Sequence, residues 1–292
     1  MKKEKIIKAG KIASEVKTYA KTIAKPGISL LELAEKIESR IIELGGKLAF
    51  PCNLSINEIA AHYTPSYDDK TLAHGLLKID FGAHVDGYIS DTAFSVDLEN
   101  NEENKKLIEA SKKALENVSK LIKKNQTTDI LGAEVQKTIE NLGFSPVINL
   151  TGHQIEKYEL HAGLTIPNID DKRKFIINEG VFAIEPFATN GSGRVRDGKA
   201  SEIYMLIDER MPRSPIAREV LEFIIEEYQT LPFCSRWLVK RFGTKALFGL
   251  RQLDQNGNLH NFPQLVETTG SKVSQAENTF LVEKDKVTVT TE

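Results

Sequence analysis

The sequence predicts an α+β chain built from two similar halves, on three observations. The order helix, helix, strands runs twice. The second run echoes residues of the first. A late helical stretch, about 210–260, has no counterpart earlier in the chain and reads as an insertion into the second half of a single domain spanning residues 1–292.

Taken in order, residues 4–24 set Ile7, Ile12, Val16, Tyr19 and Ile23 at helical spacing, which makes one apolar face. Pro26-Gly27 ends that helix, because proline lacks the backbone donor and glycine leaves the helical region at low cost. Ser29 with Glu32 three residues later has the pattern of a capping box, and Gly45-Gly46 closes the helix it begins. A β-rich segment follows from Leu48 to about Leu98. Two further helices are expected at about 104–124 and 128–142, the second closed by Gly143, before a second β-rich segment from Val147 to about Pro186. Beyond Asn190, Gly191-Ser192-Gly193 turns the chain into a strand near 201–207. Helices at about 214–229 and 232–242 come next, and strand-like sequence returns with Phe280, Val282, Val287 and Val289.

The echo is specific at several points. Leu33-Ala34-Glu35 with Gly45-Gly46 parallels Gly132-Ala133-Glu134 with Gly143, and Asn53-Leu54-Ser55 parallels Asn149-Leu150-Thr151. The passage ending at His62 parallels the one ending at His161. The alignment needs small gaps, so chance likeness between amphipathic helices competes with duplication. Under duplication, His62 and His161 face each other across a pseudo-twofold axis.

Composition excludes several classes of function. The balance of 40% hydrophobic and 27% charged residues is that of a globular chain with a large core, not a disordered one. With 39 basic and 41 acidic side chains the net charge is -2, and no basic block suggests a nucleic-acid groove. Cys52 and Cys234 stand far apart without a CxxC motif, which points to a reducing, cytoplasmic setting. The basic start at residues 1–8 is not followed by an apolar run, since Lys11, Glu15, Lys17 and Lys21 interrupt it. Nothing approaches an 18-residue apolar stretch, so no membrane span is expected.

The chemistry concentrates in two short segments. In Leu77-Lys78-Ile79-Asp80-Phe81-Gly82-Ala83-His84-Val85-Asp86-Gly87-Tyr88-Ile89-Ser90-Asp91-Thr92, Asp86-Gly87 marks a hairpin turn between apolar-rich strands. A turn centred near Val85-Asp86 puts Asp80 and Asp91 opposite each other. Facing carboxylates repel across a ladder and are costly to bury without a cation, which a divalent metal would remedy. Solvent exposure or an Asx-turn is the plainer explanation for any one such Asp. In Val181-Phe182-Ala183-Ile184-Glu185-Pro186-Phe187, a lone carboxylate interrupts an apolar strand that Pro186 then stops. Gly152-His153 and His161 add imidazoles. Carboxylates plus imidazole suit Mn, Fe, Co or Zn. No HExxH, P-loop, strand-to-helix GxGxxG or GxSxG motif is present.

Asp80, Asp91, His153, Glu185 and Glu277, in that order, resemble the five metal ligands of the pita-bread fold shared by methionine aminopeptidases, prolidase and aminopeptidase P. The surrounding text is similar to the type II methionine aminopeptidases: Ala60-Ala61-His62-Tyr63-Thr64-Pro65, the Asp hairpin, Gly152-His153 through His161-Ala162-Gly163, and Phe182 through Thr189. The resemblance covers nearly the whole chain, and the long stretch between Glu185 and Glu277 suits type II. It implies two divalent ions (Co2+, Mn2+, Fe2+ or Zn2+), one held by Asp80, the other by His153 and Glu185, with Asp91 and Glu277 between them. Such ions lie about 3.5–4 Å apart and lower the pKa of a shared water. Four carboxylates offset their charge, so no nearby Lys or Arg is required.

The resemblance further implies roles for individual residues. Glu185 shuttles the proton, His161 polarises the scissile carbonyl, and His62, the position alkylated by fumagillin-like epoxides, contacts the next peptide group. Phe50, Pro51 and Leu160 would wall the methionine slot, although Pro51 reads equally well as plain core. The implied partners are nascent polypeptide N-termini whose second residue is small; no membrane or direct nucleic-acid contact is implied, the chain would be a monomer, and ribosome association stays open. The family usually has Phe before its last Glu and His after it, whereas this chain has Ala276 and Asn278. That leaves packing beside Glu277 open, and Ser274 to Asn278 alone reads as an exposed strand start. An X-Pro peptidase and a binding protein that has lost its ligands are the rival readings.

Overall fold

Two helices, α1 (Lys2–Ile23) and α2 (Leu30–Glu43), cover an antiparallel sheet formed by β1 (Lys47–Ile56), β3 (Leu76–Val85) and β4 (Tyr88–Asp97), with the short β2 (Ile59–Ala61) between β1 and β3 in sequence. The computed structural model describes residues 2–292, so of the basic N-terminal start only Met1 lies outside the described residues. The apolar faces meet as a core that includes Ile12, Val16, Leu33, Ile37, Leu54 and Ile79. The Ser29 hydroxyl accepts the Glu32 amide at 3.4 Å, the first half of the expected capping box. The Glu32 carboxylate pairs with Lys36 instead of reaching back.

The second half repeats the plan. Helices α3 (Glu102–Val118) and α4 (Thr128–Asn141) pack over short strands: β5 (Ser145–Pro146), β6 (Thr151–Ile155), β7 (Thr165–Pro167), β8 (Gly180–Ile184) and β9 (Phe187–Thr189). Asn101 caps α3, accepting the amides of Glu103 and Asn104. The helix stops at Val118, short of the predicted 124. The chain then turns while keeping Leu121 and Ile122 against the core, so apolar spacing outlasts the helix.

Next come β10 (Val195–Leu206), α5 (Pro215–Glu227), β11 (Phe233–Cys234), α6 (Ser235–Phe242), α7 (Lys245–Gln255) and β12 (Leu259–Glu267), closed by β13 (Val273–Gln275), β14 (Asn278–Val282) and β15 (Val287–Val289). The three helices share their own core with Leu206, Phe233 and Leu259. α7 was not among the predicted helices. Gly249 interrupts its pattern, and the backbone of α5 approaches that point so closely that a Cβ would lie 3.2 Å from the Ile216 carbonyl.

The sheet of the second half runs β15-β14-β8-β6-β7, so its third major strand, β14, arrives only after the helical stretch. β6, β8 and β14 therefore mirror β1, β3 and β4. The halves are stitched where Ala93 of β4 bridges Glu277, just ahead of β14. Helices outside, two antiparallel sheets joined edge to edge inside: this is the pita-bread arrangement.

The hairpin register corrects one expectation. The turn is Asp86-Gly87, with φ of 51° and 83°, the positive pair that a two-residue hairpin favours. Val85 consequently faces Tyr88, Gly82 faces Asp91, and Asp80 faces Ala93. Asp80 and Asp91 are thus diagonal neighbours on one sheet face, two positions out of direct opposition.

Close approach also governs Gly152, where a Cβ would lie 2.4 Å from the Ala183 carbonyl on β8. Gly152→Ala is expected to destabilise the protein by about 1–3 kcal/mol, the usual cost of overpacking a filled site. It should also displace His153 on the next residue of β6. A denaturant midpoint equal to that of the wild type would contradict this.

Candidate metal centre and substrate cavity

Each half contributes carboxylates to one point between the sheets. Asp80 projects from β3 and Asp91 from β4. His153 comes from β6, Glu185 from the break between β8 and β9, and Glu277 from the break before β14. Pro186 creates the first break, as its sequence suggested. There Asn168 donates to the Leu150 and Glu185 carbonyls at 2.9 and 3.3 Å, satisfying backbone that no ladder pairs. Glu277 corrects the reading of an exposed strand start: it is 1% exposed, and its amide bonds the Ala93 carbonyl at 3.0 Å.

The side chains converge closely. One ligand atom each from Asp91, His153 and Glu277 fall within 4.8 Å of one another. His153 Nε2 lies 3.5 Å from Asp91 Oδ2 and 3.7 Å from Glu185 Oε1. The Gln275 amide nitrogen is 3.4 Å from Asp80 Oδ2 and 3.3 Å from Glu185 Oε2, reaching across from one half's carboxylate to the other's.

Burial pushes the Asp80, Glu185 and Glu277 carboxyls well above the usual range, and the negative charge of Asp91 adds to it. Asp91 is pushed up to about 7, again by burial, against the pull of the Thr92 amide and the Glu277 side chain. Burial lowers His153 to about 4. Asp80 Oδ1, Asp91 Oδ1 and Glu277 Oε1 are buried without a hydrogen-bond partner. Orphaned oxygens of this kind are rare in folded proteins and call for an ion. Four carboxylates and one neutral imidazole form the hard-to-borderline donor set of a divalent cation, and the residues present fit one.

These groups floor a cavity of about 340 Å3. All the residues singled out from the sequence line it: the five above together with Phe50, Pro51, His62, Leu160 and His161. His62 follows β2 at φ 66°, a left-handed conformation that is costly for a side chain of this size. Its Nδ1 lies 3.0 Å from the Pro263 carbonyl. A carbonyl only accepts, so Nδ1 carries the proton. With burial lowering the pKa of this ring, Nε2 keeps a free lone pair. His161 opens onto the cavity and stands edge-on to His153, centroids 4.3 Å apart. Its recessed position, then His153 and His62, push it down to about 3. His62 and His161, the two echoed histidines, thus line one cavity.

Sequence reasoning missed several lining residues. Ile203, Phe262 and Leu265 come from β10 and β12, and no local pattern marks them. Gln275 stands two residues before Glu277, a spacing that could have singled it out. Lys17 of α1 lies behind Glu277 and opposes the rise of its carboxyl, although the carboxylates themselves call for no such partner.

The model of metallopeptidase family M24 matches residues 4–213. The chain is 50% identical to the methionine aminopeptidase of Pyrococcus horikoshii over 99% of both chains. The chain belongs to the M24 metallopeptidases, among their methionine aminopeptidases. Among solved structures, a thermophilic Arx1 superposes with a TM-score of 0.85 at 16% identity, covering 98% of this chain and 90% of that one. The methionine aminopeptidase of Thermotoga maritima gives 0.71 at 20% identity, covering 99% and 96%. Both likenesses show the fold. As an M24 metallopeptidase, the chain uses divalent metal, and no helix among the described residues is long and apolar enough to cross a membrane.

A pH dependence follows for the metal-stripped M24 protein. Acids with a raised folded pKa bind more protons folded than unfolded, so stability falls as pH rises toward the folded value. The depressed histidines act oppositely, but only below their ordinary value of about 6.5, and Lys17, lowered to about 8, acts above that. Between about pH 6.5 and 8 the four site carboxyls lower stability as pH rises, opposed by Lys78, which burial holds well below its ordinary value. Chelated protein should therefore melt lower at pH 8 than at pH 6.5, and added Mn2+ should raise the midpoint more at pH 8. Equal melting at both values would contradict the arrangement.

Proposed function

We propose that this cavity removes the initiator methionine from the N-termini of nascent proteins whose second residue is small. The observation that carries the reading is the convergence of five ligand side chains from both halves beneath an apolar slot. The full-length identity to a methionine aminopeptidase supports the same activity.

Asp80 would hold one of two divalent ions, His153 and Glu185 the other, and Asp91 and Glu277 would lie between them. Co2+, Mn2+, Fe2+ and Zn2+ all suit the donor set. A centre of this kind offers Lewis-acid polarisation of a carbonyl and a water of lowered pKa. Glu185, lining the cavity beside His153, takes the proton of the attacking water and delivers it to the leaving amine. His161 is neutral at physiological pH. Its N–H hydrogen-bonds the scissile carbonyl oxygen as that atom gains charge. The free Nε2 of His62 accepts from the next peptide N–H of the substrate. Phe50 and Leu160, with Pro51, grip the methionine side chain, and the closeness of the walls excludes a bulky second residue. The segment 210–260, read as an insertion into one catalytic domain, sits beside the β10 and β12 residues that close this wall. The encounter with nascent chains places the protein in the cytoplasm.

Release of free amino acid from Met-Ala-Ser, Met-Lys-Ser, Leu-Ala-Ser and Ala-Pro, with Mn2+ or Co2+ and with chelator, tests the reading. Only Met-Ala-Ser is expected to be cut, and chelator should abolish the cut. Cleavage of Ala-Pro instead would move the protein to the prolidase branch. His161→Ala should lower kcat by about 10²–10³ with metal content unchanged, the loss seen when one donor to a developing oxyanion is removed. Metal loss in that variant would show that His161 is a ligand.

A further inference from the structure

The seam where the two halves join carries a cation that the reaction does not use. Lys17 reaches from α1 to the face of the β4–β14 seam opposite the cavity. Its ammonium donates to Thr92 Oγ1 at 2.9 Å, to the Glu277 carbonyl at 3.2 Å and to Asn278 Oδ1 at 2.9 Å. An ammonium has three protons, and all three find acceptors here. The acceptors are placed tellingly: Thr92 immediately follows Asp91, and Asn278 immediately follows Glu277.

The rest of the seam is tied through the same atoms. Thr92 Oγ1 also donates to the Glu277 carbonyl at 2.9 Å. Thr279 Oγ1 accepts the Asp91 amide at 2.8 Å and donates to the Asp91 carbonyl at 2.7 Å. Asn278 Oδ1 accepts a second bond from Thr291 Oγ1 at 3.0 Å, which in turn accepts the Thr279 amide at 3.0 Å. Asn278 and Ala276 are the two positions that depart from the usual pattern. Asn278 supplies an amide oxygen where Lys17 needs an acceptor, and the small Ala276 packs against the core of the second half.

We propose that Lys17 is a positioning residue that sets the separation of the Asp91 and Glu277 carboxylates by clamping, from behind, the residues that follow them. Among the described residues a single backbone bridge, Ala93 with Glu277, joins β4 to the start of β14. The two sheets belong to different halves, each with its own core, and the Lys17 clamp adds to the Thr92 and Thr279 side-chain bonds that hold their edges in register. A pair of carboxylates meant to lie between two ions tolerates little motion, because metal sites need their ligands held by neighbouring contacts. The inference rests on the proposed placement of Asp91 and Glu277 between two ions.

The test is calorimetric titration of metal-free protein with Mn2+, comparing wild type, Lys17→Met and Val16→Ala. Val16 is buried in the core beneath α1 and controls for looser packing of that helix. In Lys17→Met the weaker of two binding steps should lose about 10–100-fold in affinity, the usual effect of removing a support behind a metal ligand. The tighter step should hold, kcat for Met-Ala-Ser should fall, and KM should stay unchanged. A Lys17→Met isotherm identical to wild type overturns the inference, as does an equal loss in Val16→Ala. Wild type binding a single ion overturns the two-ion placement itself, whatever the variant does. If Lys17→Met does not fold, Asn278→Ala removes one acceptor and leaves α1 intact. The same selective weakening is then expected, and an unchanged two-step isotherm overturns the clamp.

Discussion

Four carboxyl groups buried around one imidazole are the constraint on which the rest of this structure depends. Their charges repel, they are taken out of water, and three of their oxygens have no hydrogen-bond partner among the described residues. Such a cluster is unstable unless a cation neutralises it or protons remain bound. The fold around it shows the consequence. Each of these five residues sits on a strand or at a strand break, and each break is fixed by a specific contact. Pro186 ends one ladder and Asn168 satisfies the loosened carbonyls. The amide of Glu277 is bonded across to the other half.

Duplication explains why the centre lies where it does. β1, β3 and β4 are matched by β6, β8 and β14, and the two sheets meet edge to edge, so residues at equivalent places point at the same gap. His62 and His161 arrive on opposite sides of the cavity for the same reason. They are not alike in environment. His62 is fixed in tautomer by the Pro263 carbonyl, a contact made possible because the chain returns from the late helices along β12. His161 stands edge-on to the ring of His153 and lines the cavity.

The late helical stretch is tied firmly into the first half. Arg236 on α6 forms a two-pronged pair with Glu38 on α2, at 2.7 and 2.9 Å, and both side chains are almost fully buried. Glu38 also accepts the Trp237 indole N–H and the Cys52 amide. Cys52 lies in the irregular part of β1, within the register shift between Phe50 and Asn53, next to Pro51 of the cavity wall. A buried pair of this kind contributes little net stability but fixes relative position once every donor and acceptor is satisfied. It couples the placement of the late helical stretch to the wall of the cavity.

Local sequence determined a good deal by itself. Amphipathic spacing defined α1 to α4, the Asp86-Gly87 turn defined the hairpin, and Pro186 defined the break that frees Glu185. Lone carboxylates in apolar strands were legible because burying them has no cheap explanation. Resemblance, not spacing, supplied Glu277, whose neighbours are ordinary in sequence and whose burial comes from a strand of the other half. Tertiary structure alone decided that Asp80 and Asp91 are diagonal and not opposed, since a shift of turn by one residue is invisible to composition. It alone placed Gln275 between two carboxylates, Lys17 behind the seam, and Ile203 and Phe262 in the cavity wall. Such contacts join residues far apart in the chain, and no local periodicity encodes a partner that only folding brings near.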